Sequence, residues 1–199
     1  MSNIKEQTLV LLKPDAVQRS LVGEIISRFE RVGLKIVGMK LTWPTSDQAY
    51  KHYVKNEEEI TALGNRSIEG KKKSGMEVTD DPTELGKKII DRLVRFLVAS
   101  PIVALVLEGN KAVPLVRKLV GATEPLQSDI GTIRGDFTLD SYDMADGSNR
   151  AVRNLIHASS NQEEAKYEIK VWFSSEEILS YKGINDVVLY DINFDNINE

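Results

Sequence analysis

The sequence has no cysteine, two histidines and few aromatic residues, and each shortage excludes a class of protein. Without cysteine there is no disulfide, no thiolate metal ligand and no cysteine nucleophile. His52 and His157 are too few for a zinc site unless carboxylates supply most of its ligands. Aromatic residues form 7% of the chain and the formal net charge is −4, so we expect no specific binding of nucleic acid.

Long apolar runs are also missing. No run approaches the roughly 18 residues that a membrane span needs, and Met1 to Gln7 lacks the apolar stretch of a secretion signal. We therefore expect a cytoplasmic protein that does not bind membranes. The 199 residues, 41% hydrophobic and 28% charged, are typical of one globular domain.

The apolar pattern predicts an alternation of strands and helices. TLVLL at 8–12 and IVALVL at 102–107 are typical of buried strands, and Gly38 suggests a bulge in a strand over 34–41. A short strand is predicted over 152–156, ending at His157. This order favours a ferredoxin-like α/β sandwich, a four-stranded antiparallel sheet covered by helices.

Five helices are predicted from apolar spacing and capping residues. They are a helix over 22–29 ended by Gly33, one capped by Ser46, one over 89–98, one over 111–120 capped by Asn110, and one that starts with the pair Ser160 and Glu163 and ends near Phe173.

Two segments interrupt this pattern. Residues 54–88 have low apolar density and contain charge runs, which predicts an inserted, partly helical segment. Within it, Asp81-Pro82 followed by Glu84 resembles a helix start. Residues 140–151 are predicted to be a polar loop. We expect a single domain over 1–199 with insertions at about 54–88 and 140–151.

His157 is the main candidate for catalysis, because it follows an apolar strand and precedes a capped helix. A core histidine bonded to a neighbour explains this position equally well. A neutral imidazole can, however, attack phosphorus and later act as leaving group. Glu168, on the following helix, could accept a hydrogen bond from the other ring nitrogen.

Lys13, Arg117, Arg134 and Thr123 would together suit a polyphosphate. The phosphate-binding loop G-x-x-x-x-G-K-[ST] is absent, so side chains would have to hold the phosphates. Arg134 lies between two glycines, which is unusual for a surface arginine. Arg117 taken alone is more typical of a solvated arginine on a helix.

Most of the chain resembles the nucleoside diphosphate kinase family. The similar segments are TLVLLKPDAVQRSLVGEIISRFERVGLKIVGMK at 8–40, LVRFLVASPIVALVLEGNKAV at 93–113, RKLVGATEP at 117–125, GTIRGDF at 131–137, NLIHAS at 154–159, EEAKYEIKVWF at 163–173 and EEILSYK at 176–182. GTIRGDF followed by NLIHAS at this spacing is highly specific.

The resemblance implies an enzyme that moves the γ-phosphoryl group of a nucleoside triphosphate to a nucleoside diphosphate by a ping-pong mechanism. It implies His157 as phosphohistidine, Glu168 as the carboxylate that orients its ring, and Lys13 as a catalytic and phosphate-binding lysine. The further nucleotide contacts it implies are Tyr53, Arg117, Thr123, Arg134, Asn154 and Ser159. It also implies Mg²⁺ bound through the nucleotide phosphates, without protein ligands, and a homo-oligomer, either a hexamer, a tetramer or a dimer.

The sequence departs from the family at three points. Ile89 aligns with the phenylalanine that stacks on the base, and Ser160 replaces an aspartate after the histidine. The insertions are foreign to compact members and resemble archaeal ones. Residues 54–88 could form a lid over the base, or only a solvated segment that adds an oligomer contact.

Two other functions fit the predicted fold less well. A catalytically inactive scaffold would be favoured by loss of His157, Lys13 or Arg134, and all three are present. A nucleic-acid-binding domain would need exposed aromatics on a basic face.

Overall fold

The computed structural model describes residues 5–73, 75 and 77–191. Within them, one antiparallel sheet has the strand order β2-β3-β1-β4. The strands are β1 (Lys5–Leu12), β2 (Lys35–Thr42), β3 (Ile102–Asn110) and β4 (Ile156–Ala158). The predicted four-stranded α/β sandwich is therefore confirmed.

Helices cover both faces of the sheet. They are α1 (Pro14–Gln18), α2 (Val22–Arg31), α3 (Ser46–Tyr53), α4 (Glu57–Lys73), α5 (Pro82–Leu97), α6 (Ala112–Val120), α7 (Ile133–Phe137), α8 (Tyr142–Gly147), α9 (Gln162–Trp172) and α10 (Ile184–Tyr190), with short 3₁₀ turns at Pro125–Gln127 and Ser175–Glu177. No helix among the described residues combines the length and the apolar character that a membrane crossing requires.

Alternate residues of β1 enter two separate cores. Val10 and Leu12 face α2 and α6, whereas Leu9 and Leu11 face α3, α5 and α9. All four are fully buried. A strand covered on both faces needs apolar side chains at every position, which explains the unbroken apolar run.

The bulge predicted in β2 is present, since the pairing of β2 with β3 shifts between Ile36 and Gly38. The helix start predicted at Asp81 is also present. The Asp81 carboxylate accepts a hydrogen bond from the amide of Glu84, and Pro82 occupies the first turn of α5.

Three predicted helix starts were wrong by about one residue. Thr45, rather than Ser46, caps α3, because its hydroxyl accepts from the amide of Gln48. Lys111, rather than Asn110, precedes α6, and it adopts a left-handed backbone with φ 50°. Asn161, rather than the pair Ser160 and Glu163, caps α9.

The prediction that 140–151 is a loop was also wrong, because Tyr142–Gly147 forms α8, which Ser141 caps. The strand predicted over 152–156 is shorter and later. Leu155 has a left-handed backbone with φ 65°, which no strand residue adopts, so β4 begins at Ile156 and contains His157.

Helices α4 and α5 form a hairpin with its two backbones in contact. A Cβ atom at Gly64 would lie 1.7 Å from the carbonyl oxygen of Pro82, and one at Gly86 would lie 2.0 Å from that of Ile60. Only glycine allows this approach. The distal part of the hairpin and α5 both contact α8, since Asp146 pairs with Lys71 at 3.2 Å and Arg92 at 3.1 Å.

We predict that Gly64→Ala lowers the free energy of unfolding by about 1–3 kcal/mol or more, because the added methyl group forces the helices apart. Gly70→Ala, in the same helix, is the matched control. A Cβ there meets no atom within 4 Å, so better helix propensity should raise stability by up to about 1 kcal/mol. Denaturant unfolding measures both, and equal effects would contradict the close packing at Gly64.

Candidate active site

His157 lies in β4 opposite Leu11 of β1, with its side chain 21% exposed. Its Nε2 atom is 2.9 Å from Oε1 of Glu168, a buried residue of α9. The contact has hydrogen-bond length, but Nε2 has no well-directed partner among the described residues. Ser159 donates to the other oxygen, Oε2, over 2.6 Å.

Burial sets the charge states of this pair. Burial, assisted by the positive charge of Lys13, lowers the pKa of His157 to about 3. Burial raises the pKa of Glu168 to about 7. The imidazole is therefore neutral at neutral pH, which is the form that can act as a nucleophile.

Lys13 follows β1 and is 6% exposed. Its ammonium group donates to Oδ1 of Asn154 over 2.8 Å, and the Asn154 amide donates to the carbonyl oxygen of Thr123 over 2.8 Å. Burial, followed by the charge of Arg134, lowers the pKa of Lys13 to about 8. Lys13 is thus still largely charged at neutral pH, close to His157.

Arg134 of α7 is 7% exposed and is held by backbone oxygens. Nε donates to the carbonyl of Asn154, Nη1 to those of Gly121 and Ala122, and Nη2 to that of Ile156, at 2.6–3.2 Å. These four bonds use four of the five N–H groups of a guanidinium. One N–H and the positive charge remain for another ligand.

Arg117 and Thr123 are exposed at the rim of the site. The charge of Arg117 contributes to lowering the pKa of both His157 and Arg134, so all three lie within electrostatic range of one another. Tyr53 is partly buried, and its hydroxyl has no hydrogen-bond partner among the described residues. Burial raises the pKa of that hydroxyl, which keeps it neutral.

Asp15 has a positional role that the sequence pattern did not predict. Its Oδ2 accepts from the amide of Leu155 over 3.0 Å, and the carbonyl oxygen of Leu155 accepts from the amide of Lys13 over 2.8 Å. These two bonds hold Leu155 in its left-handed conformation directly before β4. The only indication in the sequence was an acidic residue in the first turn of α1, and such residues are too common to predict this role.

His52 is the second residue that sequence reasoning missed. It is 4% exposed, and its ring contacts the ring of His157 with centroids 4.3 Å apart. Ala49 and His52, three residues apart in α3, share its buried face. A histidine on the apolar face of an amphipathic helix was the signal.

Comparisons with known proteins relate this geometry to one family. The nucleoside diphosphate kinase family model matches residues 6–63 and 82–178. A nucleoside diphosphate kinase of Pyrobaculum aerophilum is 46% identical over 179 residues, covering 87% of this chain and 98% of that protein.

Two solved structures are also similar. The crystal structure of an NDP kinase from Pyrobaculum aerophilum has 44% identity and a TM-score of 0.84, and the match covers 88% of this chain and 100% of that one. A transition state mimic of the nucleoside-diphosphate kinase from Borrelia burgdorferi, with bound vanadate and ADP, has 35% identity and a TM-score of 0.77, covering 95% and 99%.

The two histidines allow a direct test of the charge states. Burial lowers the pKa of His52 and of His157 to about 3, whereas unfolded histidine titrates near 6.5. We predict that neither ring titrates by NMR between pH 8 and 5 in the folded protein, and that both titrate near pH 6.5 in denaturant. Because the unfolded chain alone takes up these protons, stability should fall as the pH decreases below 6.5. A folded-state titration of either ring near pH 6.5 would contradict the burial.

Proposed function

Because the chain belongs to the nucleoside diphosphate kinase family, whose members transfer the γ-phosphoryl group of a nucleoside triphosphate to a nucleoside diphosphate, we propose that His157 carries that group between the two nucleotides. The observation that supports this most is the contact between His157 Nε2 and Glu168 Oε1 at 2.9 Å. With Nε2 facing the carboxylate, Nδ1 is the nitrogen left with a free lone pair.

The proposed reaction has two symmetrical halves. Nδ1 attacks the γ-phosphorus, the N–P bond forms, and the bond to the bridging oxygen breaks, releasing the nucleoside diphosphate. The phosphorylated ring keeps its proton on Nε2, and the Glu168 carboxylate stabilises the resulting positive charge. A second nucleoside diphosphate then attacks the phosphorus, and neutral His157 leaves.

We propose that Lys13, Arg117, Arg134 and Thr123 bind the phosphates. A triphosphate has about four negative charges, and in the transition state charge is spread over the transferred oxygens. The side chains of Lys13 and Arg134 are both buried, and the charge of Arg134 contributes to lowering the pKa of Lys13, so an anion between them is favoured. Since four N–H groups of Arg134 are bonded to carbonyls, its charge and one N–H would be its contribution.

We propose that Asn154 contacts the nucleotide sugar and that Tyr53 contacts the phosphates beside the histidine. The Tyr53 hydroxyl is buried next to Glu168 and has no hydrogen-bond partner within the described ranges. Asn154 contacts the Lys13 ammonium, so a sugar hydroxyl bound by Lys13 would lie within its reach. Ser159 would act indirectly, through its bond to Glu168.

The residues of the site fit Mg²⁺ only if the phosphates hold it. Mg²⁺ prefers oxygen ligands in octahedral geometry, and the nearby carboxylate of Asp15 already accepts amide hydrogens with both oxygens. His52, His157 and Glu168 are close enough to share a metal, but two of the three ligands would be nitrogen. When bound, Mg²⁺ would offset phosphate charge.

We also propose that the α4–α5 hairpin forms one wall of the nucleotide site. Ile60 of α4 and Ile90 of α5 pack in one cluster with Tyr53, so the hairpin base touches a proposed site residue. The family match leaves out 64–81, most of which is the distal part of this hairpin. The boundaries predicted for the insertions, the cytoplasmic location and the assembly into hexamer, tetramer or dimer stay predictions.

The nucleophile is tested by labelling. We predict that γ-³²P-labelled ATP gives an acid-labile phosphoenzyme with the label on His157, and that His157→Ala abolishes both the label and turnover. Initial rates of the wild type should give parallel lines, the ping-pong pattern. His157→Ala must first be shown to fold, by circular dichroism. Turnover in that variant, or intersecting lines in the wild type, would contradict the mechanism.

The hairpin is tested by shortening it. We predict that replacing 64–81 with a short turn raises KM for the nucleoside diphosphate severalfold, because it removes the distal part of this wall and the contact of Gly64 with Pro82 that holds Ile60 and Ile90 together at its base. Phosphorylation of His157 by saturating ATP should stay nearly unchanged, since the reacting side chains lie elsewhere.

Subunit number, measured by native mass spectrometry, is the control for this variant. An unchanged KM with an altered subunit number would favour the alternative that the hairpin contributes an oligomer contact. If both stay unchanged in the folded variant, the hairpin has neither role.

A further inference from the structure

His52 of α3 is a buried titratable residue that no step proposed above uses. Its ring stands edge-to-face against the ring of His157, at an interplanar angle of 86°, and its side chain is 1% exposed. The indole ring of Trp172, in α9, packs on it with centroids 5.7 Å apart. The proposed nucleophile thus contacts a second imidazole that is closed off from solvent.

Trp172 determines which nitrogen of His52 carries the proton. Its Nε1–H group donates to Nδ1 of His52 over 3.3 Å, and an indole nitrogen can only donate. Nδ1 must therefore present a lone pair. Because burial keeps this ring neutral, its single proton is on Nε2.

This tautomer is the less favourable one for His52 itself. Its Nε2 atom is buried and has no hydrogen-bond partner among the described residues, and such groups are rare in folded proteins. The opposite tautomer would place a proton on Nδ1, which is 3.6 Å from Oε1 of Glu168. A small movement would then give that proton an acceptor. Trp172 holds the ring in the tautomer that lacks one.

The tautomer matters because Glu168 Oε1 faces two histidines. It lies 2.9 Å from Nε2 of His157 and 3.6 Å from Nδ1 of His52. A proton on Nδ1 of His52 would draw this oxygen away from His157. A lone pair there repels it instead, while Ser159 holds the second carboxylate oxygen.

We propose that His52 is a positioning residue: fixed by Trp172 as the Nε2–H tautomer, it keeps Glu168 Oε1 next to Nε2 of His157. The proton of His157 then stays on Nε2, and Nδ1 remains free to attack phosphorus. This inference rests on the proposed role of His157 as phosphoryl carrier, and it adds a residue that touches neither nucleotide nor phosphorus.

The tautomer can be measured directly in the wild-type protein by ¹⁵N NMR of the two histidines, which needs no variant to fold. We expect an unprotonated Nδ1 and a protonated Nε2 for His52, assigned by the signals that His52→Asn removes. In Trp172→Phe, which keeps an aromatic ring but removes the donor, the population is expected to shift toward the Nδ1–H tautomer. A protonated Nδ1 of His52 in the wild type would overturn the inference.

The catalytic effect is tested with a pair of substitutions of similar size. His52→Asn keeps an oxygen that can accept from the Trp172 indole, whereas His52→Leu does not. We expect His52→Leu to slow single-turnover phosphorylation of His157 about 10- to 100-fold, the scale of a misplaced catalytic group. KM for nucleotides should stay unchanged, and His52→Asn should keep most of the rate.

A double variant separates positioning from packing. If Trp172 acts through His52, adding Trp172→Phe to His52→Leu should cause little further loss of rate, although each single variant is slow. An equal loss of rate in His52→Asn and His52→Leu would overturn the inference and leave a packing role. The same conclusion would follow if the losses of rate caused by His52→Leu and Trp172→Phe simply added in the double variant. Failure to label His157 in the wild type would instead overturn the proposed function itself.

Discussion

The guanidinium of Arg134 is buried and donates to four backbone carbonyl groups, and the arrangement of the site follows from that pairing. A buried charge is tolerated when its hydrogen bonds are made. Here the acceptors come from the turn after α6 and from the segment that leads into β4. One side chain thereby fixes the backbone of Asn154 and Ile156 against that turn, and the side-chain oxygen of Asn154 in turn accepts from Lys13. The position of the lysine thus depends on an arginine that it does not touch through a hydrogen bond.

The electrostatics of the site favour an anionic ligand. Lys13 and Arg134 are both buried, and each has a lowered pKa, which means that charge is held there against desolvation. The same cations lower the pKa of His157. A polyphosphate would offset their repulsion, while the neutral imidazole beside them stays nucleophilic. Burial of the site therefore favours both the binding of a polyphosphate and the neutral, nucleophilic form of His157.

The elements that the sequence did predict have a local signal. The apolar runs of β1 and β3 and the cap at Asp81 depend on neighbouring residues, and all three elements are present, although β1 starts three residues earlier and β3 ends three residues later than predicted. The start of β4 depends on the left-handed backbone of Leu155, which distant residues impose, so it was misplaced. The site residues were identified by resemblance, but the bonds of Arg134 to carbonyl groups leave no pattern in the sequence. His52 did have a local signal, its place on the buried face of α3, but its partners come from two other elements, so its role was not predicted.

Because Leu155 has a left-handed conformation, the residue at its position depends on the carboxylate of Asp15. A non-glycine residue in this region is disfavoured by about 1–2 kcal/mol, and here the Asp15 carboxylate and the Lys13 amide hold it in place. The two positions should therefore be exchanged together during evolution: a chain that loses the carboxylate could keep the turn if glycine replaced the leucine, because glycine needs no such restraint. Family members that lack the aspartate would then be recognisable by a compensating glycine two residues before the histidine.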